Sequence, residues 1–132
     1  MGLSIGMVTV DSADPSALSR FWASALGTTV VADHDGEFII LAPPPEGGPL
    51  LAFQRVPEER SGKNRLHLDL GAATGARQAE VERLVQLGAT VLGERGEPAT
   101  FAWTTLTDPE GNEFCIGETE AATTDLVPPP AS

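Results

Sequence analysis

The sequence predicts an α+β fold made of two tandem βαβββ modules, and an internal repeat is the main reason. The segment 26–31 (Leu-Gly-Thr-Thr-Val-Val) returns as 87–92 (Leu-Gly-Ala-Thr-Val-Leu), 61 positions further along the chain. Each copy ends a helical pattern and begins a strand pattern, and a repeat of this period indicates one supersecondary unit used twice. We therefore expect the two modules to form a curved mixed sheet around a central cleft, with the helices outside.

The first module is predicted to span residues 4–56. Asp14 followed by Pro15 is typical of a helix start, because aspartate caps the first amides and proline fits the first turn. Gly27 is expected to end this helix as a left-handed cap. Alternating or β-branched segments predict the strands, and Asp35-Gly36 marks a hairpin turn. The predicted strands are residues 4–10, 28–31, 37–41 and 49–56.

The second module is predicted at residues 64–118, after a polar linker at residues 57–63. Its helix is expected over residues 75–87, with Gly88 as the cap. Its strands are expected at residues 64–70, 90–93, 101–106 and 113–117. A tight turn at residues 108–112 precedes the last strand. The residues from about 119 to 132 contain three consecutive prolines and are predicted to be a disordered tail.

The composition indicates one ordinary globular domain. The chain has 132 residues, 41% of them hydrophobic, and a formal net charge of −11. This acidity argues against nucleic-acid binding, because phosphate contacts need clustered lysine and arginine, and it mildly favours a cationic ligand. The sequence has no apolar run long enough to span a membrane and no secretory signal pattern. A single cysteine, Cys115, fits a reducing cytoplasm, where we expect the protein to reside.

Period-two alternation predicts which strand residues face the cleft. The side chains expected on the concave face are Met7, Thr9, Ala52, Gln54, His67, Asp69, Glu113 and Cys115. Trp103 shares a strand face with Phe101, and this pair either lines the cleft or packs under a helix. His67 is either a hydrogen-bonded pocket residue or a general base that Asp69 orients. Cys115 is either a small buried hydrophobe or a thiol activated by His67.

Several motifs resemble those of a known superfamily. They are Asp14-Pro15, Phe21-Trp22, Leu26-Gly27, residues 64–69 (Asn-Arg-Leu-His-Leu-Asp) and residues 108–115 (Asp-Pro-Glu-Gly-Asn-Glu-Phe-Cys). With the paired modules, they make the chain similar to the vicinal oxygen chelate superfamily over residues 4–118, and more narrowly to its glyoxalase-like, bleomycin-resistance-like group. The resemblance implies a divalent metal held by four side chains, two from each module, which substrates chelate through adjacent oxygens.

Carried over to this chain, the four ligand positions fall on Met7, Gln54, His67 and Cys115. Gln54 and Cys115 are 61 positions apart, in agreement with the repeat, and Met7 and His67 are 60 apart. None of the four is a carboxylate, whereas hard divalent ions prefer oxygen ligands or imidazole, so we expect no metal cofactor. If a metal is present, Gln54, His67 and Cys115 are its expected ligands. A zinc site of His67, Cys115 and either Asp69 or Glu113 is an alternative, although residues two apart on a strand lie about 7 Å apart.

These residues lead to three hypotheses of function. The first is a protein that binds a small organic molecule such as an antibiotic in the cleft, with a degenerate metal site, as resistance-type relatives do. The expected ligand-binding residues are Met7, Thr9, Gln54, His67, Asp69, Trp103, Glu113 and Cys115. The second is an enzyme, a glyoxalase-like lyase or isomerase or a ring-cleaving dioxygenase, with His67 as the catalytic residue. The third is a structural or regulatory partner-binding domain, and the resemblance also implies a homodimer.

Overall fold

The computed structural model of this chain describes residues 2–97 and 101–119. They form two compact units, divided between Ser61 and Gly62. Each unit contains one helix and one four-stranded mixed sheet, which confirms the predicted α+β class and the repeated βαβββ order. The predicted tail, apart from residue 119, lies outside the described residues. Within the described ranges, no helix combines the length and the apolar composition that crossing a bilayer requires.

The first unit contains strands β1 (Met7–Ser12), β2 (Val30–His34), β3 (Phe38–Leu41) and β4 (Leu50–Arg55), with helix α1 (Pro15–Leu26) after β1. The sheet order is β1-β4-β3-β2; β1 and β4 are parallel and the other pairs are antiparallel. The Asp14 carboxylate accepts a hydrogen bond from the Ala17 amide at 3.2 Å, and Gly27 adopts a left-handed φ of 68°. Helix α1 therefore begins and ends where the sequence predicts.

The second unit contains strands β5 (Leu68–Ala73), β6 (Thr90–Glu97), β7 (Phe101–Thr107) and β8 (Glu113–Thr119), with helix α2 (Arg77–Leu87) after β5. The sheet order β5-β8-β7-β6 repeats that of the first unit, again with one parallel pair, β5 and β8. The same order of strands and the same pair of parallel neighbours explain the sequence repeat.

Several strand boundaries differ from the prediction; β2, for example, is Val30–His34 rather than residues 28–31. Strand β1 begins at Met7 rather than at residue 4, and β5 begins at Leu68 rather than at residue 64. Asn64 instead lies outside the strand, where its Oδ1 accepts a hydrogen bond from the Glu113 amide at 3.0 Å. Strand β6 continues to Glu97 rather than ending at residue 93, because it stays paired with β7 beyond that point.

The helix sides of the two sheets form equivalent cores. In the first unit, α1 packs on β3 and β4, where the cross-strand partners Ile39 and Phe53 are 2% and 0% exposed. In the second unit, the partners Leu106 and Phe114 are 0% and 1% exposed. The helices contribute the buried side chains Leu18, Phe21 and Trp22 from α1, and Val81 and Leu84 from α2.

Arg77, the first residue of α2, fixes that helix to its sheet. Its Nη1 donates hydrogen bonds to Glu94 Oε1 at 2.6 Å and to Thr104 Oγ1 at 2.8 Å. The hydrogen bond from Arg77 lowers the pKa of the Glu94 carboxyl; burial opposes this effect and a hydrogen bond from Thr104 adds to it. Because Arg77 contacts Thr104, the even-numbered residues of β7 face α2 and its odd-numbered residues face away from it.

Candidate ligand-binding face of the second unit

The side of the second sheet that faces away from α2, here called the distal face, carries the candidate site. Cross-strand partners point to the same side of a sheet, so the strand register assigns residues to this face in rows. The first row, from β5 to β6, is Asp69, Cys115, Thr105 and Gly93. The second row is Gly71, Gly117, Trp103 and Arg95. His67 and Glu113 precede the first row by two positions on the same side.

Three side chains that could bind a metal ion or exchange a proton converge where the first row crosses β5 and β8. The side-chain donor atoms of His67, Asp69 and Cys115 all lie within 4.8 Å of one another. His67 Nδ1 is 3.3 Å from Asp69 Oδ1, and the side chain of His67 is 18% exposed. The separation of about 7 Å expected for residues two apart on a strand therefore does not keep the donor atoms of this pair apart. His67 stands just before β5, and its side chain reaches toward the carboxylate.

His67 Nδ1 is buried, and within the described residues it makes no hydrogen bond of good geometry. The Asp69 carboxylate is thus close to Nδ1 without meeting the geometry of a hydrogen bond. Hydrogen-bond strength depends steeply on geometry, so this contact is weak. Buried polar atoms are normally hydrogen-bonded, so His67 Nδ1 favours a further partner, either a bound molecule or a metal ion.

Cys115 is 1% exposed, and its Sγ lies 3.6 Å from Thr105 Oγ1. It is thus a buried thiol whose only ionisable neighbours in the described cluster are His67 and Asp69. Trp103 lies on the distal face rather than under the helix, and it is 6% exposed. The side chain of Phe101, its predicted companion, lies outside what the structure describes.

Glu113 occupies the same face but has other contacts. Its carboxylate is 4.0 Å from Lys63 Nζ, and its amide donates to Asn64 Oδ1. It is not one of the three clustered residues. Of the two carboxylates proposed for a zinc site from the sequence, the structure therefore brings Asp69, and not Glu113, to His67 and Cys115.

The other predicted site residues, Met7, Thr9 and Gln54, lie in the first unit. They share the face of the first sheet that points away from the buried pair on its helix side. The corresponding rows of this distal face are Thr9, Ala52, Ile40 and Ala32, followed by Asp11, Gln54, Phe38 and His34. That Met7, Thr9 and Gln54 act with His67 on one ligand stays a prediction.

The rows also correct the internal alignment inferred from the sequence. Each sheet has an edge strand, β2 or β6, that pairs with β3 or β7. In both pairs the register shifts at the equivalent place, before Ala32 in β2 and before Gly93 in β6. With these positions matched, Cys115 corresponds to Ala52 and Gln54 corresponds to Gly117. The earlier pairing of Gln54 with Cys115 is therefore wrong. The connections before β4 and β8 differ in length, so one constant offset does not relate all strands.

The predicted ligand positions of the first unit offer weaker donors than those of the second, although Asp11 and His34 lie elsewhere on its distal face. The position equivalent to Asp69 holds Thr9, and the position equivalent to Cys115 holds Ala52. Met7 offers only a thioether and Gln54 a neutral amide oxygen, which are weak ligands for magnesium or iron. The nitrogen, oxygen and sulfur donors of the second unit instead match the ligand types that zinc accepts.

Sequence reasoning missed Arg95 and Gly93 as members of this face. Both lie on β6: Gly93 at the predicted end of the strand and Arg95 beyond it. The signal that indicates them is the period-two spacing of Gly93, Arg95 and the partner positions Thr105 and Trp103. Glycine weakens strands, so Gly93 and Gly96 give no local indication that the strand continues.

The sequence matches the family described as "Glyoxalase-like domain" over residues 7–117. No functionally curated protein matches it. A solved glyoxalase/bleomycin resistance protein/dioxygenase family enzyme from Burkholderia phytofirmans PsJN is similar at 19% identity, with 88% of this chain and 98% of that chain covered and a TM-score of 0.74.

Two further solved structures have the same fold. A glyoxalase-related enzyme from Fulvimarina pelagi has 21% identity, coverage of 88% of both chains and a TM-score of 0.67. A lactoylglutathione lyase from Agrobacterium tumefaciens has 20% identity, coverage of 87% of this chain and 92% of that chain, and a TM-score of 0.64. The chain therefore belongs to the glyoxalase-like domain family, as its motifs indicated.

Proposed function

We propose that this protein binds a small organic molecule, in the manner of the bleomycin-resistance-like group, and that the distal face of the second unit provides the main contacts. One observation carries the proposal: His67, Asp69 and Cys115 converge on that face, whereas the equivalent positions of the first unit hold no comparable donors. A hard metal takes ligands from both modules in this superfamily, and the predicted positions in the first module are Met7 and Gln54, which are weak ligands for such an ion. A ligand bound directly by protein groups accounts for both features.

His67 has the central role in this proposal. Its buried Nδ1 is available to a ligand hydroxyl or carbonyl, depending on which nitrogen carries the proton. The Asp69 carboxylate lies 3.3 Å from Nδ1 and helps to orient the imidazole. The same pair supports proton transfer if the bound molecule has an acidic proton. Binding and a cofactor-free reaction therefore require the same two side chains.

A thermal-shift screen of aromatic antibiotics and metabolites, run with a chelator present, tests the proposal. A ligand should raise the melting temperature of the wild-type protein by several degrees, because it binds only the folded state. The shift should be lost in His67→Ala and kept in His34→Ala, which removes the other histidine, an exposed residue of the first unit. Equal shifts in both variants for every ligand found would contradict a role for His67.

The second candidate is a metal-dependent enzyme, and the same cluster favours it. His67, Asp69 and Cys115 would hold a zinc-like ion. Such an ion, when bound, polarises a substrate carbonyl or activates water. Asp69 takes the place that sequence reasoning gave to Gln54.

Metal analysis of protein purified without chelator separates the two candidates. Cobalt(II) titration adds a second measurement, because a thiolate ligand gives a charge-transfer band that Cys115→Ser should abolish and His34→Ala should leave unchanged. One tightly bound equivalent of metal that depends on Cys115 would favour the enzyme over the metal-free binding protein. Less than a tenth of an equivalent, roughly, and no charge-transfer band would remove the second candidate.

A further inference from the structure

Arg95 is a half-buried cation without a described partner. It lies on β6 opposite Trp103, and within the described ranges it makes no ion pair or hydrogen bond. The chain has 19 acidic and 8 basic residues, and other arginines such as Arg55, Arg77 and Arg83 each contact a glutamate. Removing a guanidinium partly from water is costly unless an anion is close. An arginine that has no anionic partner among the residues the structure describes therefore favours an external anion.

Gly93, two positions before Arg95 on the same strand face, leaves space for the guanidinium. A Cβ on Gly93 would lie 2.7 Å from Arg95 Nη1, so only glycine leaves room for the guanidinium in this position. The backbone of Gly93 does not require glycine, because Gly93 is not among the residues with positive φ. The function of Gly93 is thus steric. It allows the cation to lie over the first row, beside Thr105 and in line with Cys115 and Asp69.

The adjacent second row offers a flat surface. Gly71 and Gly117 are cross-strand partners, so no side chain rises above the sheet at these two positions. Trp103 borders them, with its Cβ 3.9 Å from the Cβ position of residue 117. A planar ring fits such a strip, with one face on the peptide groups and an edge against the indole. Arg95 follows Trp103 in the same row, and its guanidinium bends back over Gly93 in the first row, on the far side of the indole from the two glycines.

We propose that the distal face of the second unit selects planar aromatic molecules that carry a carboxylate, with Arg95 binding the carboxylate. This inference rests on the proposed function, since it names the ligand class of the same face. It also reverses the expectation of a cationic ligand drawn from the net charge. Long-range charge is screened by salt, whereas a direct contact between a guanidinium and a carboxylate is charge-assisted and bidentate.

Three probes of one shape and different charge test the inference: 2-naphthoate, 2-naphthamide and 2-naphthylmethylamine. Their affinities are measured by ligand-observed NMR titration against the wild-type protein and its variants. We expect 2-naphthoate to bind at least about tenfold more tightly than the amide, and the amine to bind most weakly. Arg95→Gln should reduce the affinity for the carboxylate to that for the amide. Arg20→Gln, which removes an exposed arginine of α1, is the matched control and should change nothing.

Gly93→Ala provides a second variant that keeps the charge. The added methyl group displaces the flexible end of Arg95 and should weaken binding of 2-naphthoate while leaving the circular dichroism spectrum and melting temperature unchanged. If the amide or the amine binds as tightly as the carboxylate, or if Arg95→Gln binds the carboxylate normally, the inference is wrong and the proposed function stands. If none of the probes binds, the inference is also wrong. The proposed function is then decided by the His67-dependent screen alone.

Discussion

On the distal face of the first sheet, one row of cross-strand partners reads Thr9, Ala52, Ile40 and Ala32, whereas the equivalent row of the second sheet reads Asp69, Cys115, Thr105 and Gly93. The next rows differ as much: Asp11, Gln54, Phe38 and His34 against Gly71, Gly117, Trp103 and Arg95. The strand order and the position of the register shift are the same. Two copies of one scaffold thus carry different chemistry.

The helix sides of the two sheets have not diverged in this way. Both present large buried apolar side chains to a helix, with Phe53 in one unit and Phe114 in the other almost fully buried. A sheet that packs a helix must keep close packing, so its residues are restricted to apolar types of suitable size. A distal face that contacts a ligand is restricted by the ligand instead. The comparison therefore assigns fold stability to the helix sides, and it supports our proposal that recognition belongs to one distal face.

The largest expected effect tests the equivalence of the two cores. Phe53→Ala and Phe114→Ala should each lower the free energy of unfolding by about 3 to 5 kcal/mol, because each removes a fully buried ring and leaves a cavity. Urea unfolding followed by tryptophan fluorescence measures this, with Trp22 reporting on the first unit and Trp103 on the second. Gln54→Ala, an exposed distal-face residue, is the control and should cost less than about 0.5 kcal/mol. A loss below about 1 kcal/mol for either phenylalanine would contradict the equivalence.

The connection before the last strand is the second difference between the units. In the second unit, Asp108 is 3% exposed and accepts hydrogen bonds from the amides of Glu110 and Asn112 and from Asn112 Nδ2. The first unit uses a longer loop of proline and glycine, residues 42–49. Asp108→Ala should therefore cost about 1 to 3 kcal/mol in urea unfolding, because it leaves two partly buried amides without an acceptor. The matched change in the first loop, Glu46→Ala, should cost almost nothing, and a similar loss in both variants would contradict this role.

The parts of this comparison that follow local rules were predictable from the sequence. Asp14-Pro15 and Gly27 fixed both ends of α1, because capping depends on a few neighbouring residues. Period-two alternation placed His67, Asp69 and Cys115 on one face, because side-chain direction alternates along any strand. The family followed from motifs in both modules.

The parts that depend on pairing between distant strands were not predictable. The extension of β6 to Arg95 is maintained by its partner β7, and the local glycines give no indication of it. The correct match of Cys115 with Ala52 needs the register of four strands, since loop lengths shift each strand differently. The approach of His67 to Asp69 depends on side-chain rotamers outside regular structure. Each of these is a tertiary property.

The starts of the two helices give a smaller contrast. Asp14 caps α1 through a hydrogen bond to the Ala17 amide, whereas Ala76 precedes α2 without any side-chain cap. Asp14→Ala should therefore lower the free energy of unfolding by about 1 kcal/mol. Asp14→Asn should retain most of the stability, since asparagine also accepts this hydrogen bond. A loss from Asp14→Asn as large as that from alanine would show that the charge, not the cap, is responsible.

The smallest expected effect concerns the contact that takes the place of a side-chain cap at the start of α2. Arg77 at its first turn binds Glu94 on β6, and the hydrogen bond from Arg77 lowers the pKa of Glu94 below the usual 4.5. A carboxyl whose pKa is lower in the folded state stabilises the fold above pH 4.5, and this stabilisation is lost as the pH falls through the lowered value. Glu94→Gln should thus cost less than about 1 kcal/mol at pH 7, since the carboxylate is largely exposed.

The pH dependence separates this ion pair from a general loss of stability. The difference in free energy of unfolding between the wild-type protein and Glu94→Gln should shrink as the pH is lowered below 4.5, because the wild-type carboxyl becomes neutral like the glutamine. Glu82→Gln, an exposed change on α2, should show almost no difference at either pH. If the Glu94→Gln deficit stays constant down to pH values where the carboxyl is protonated, its hydrogen bonding to Arg77 and Thr104, and not its charge, holds α2 against β6.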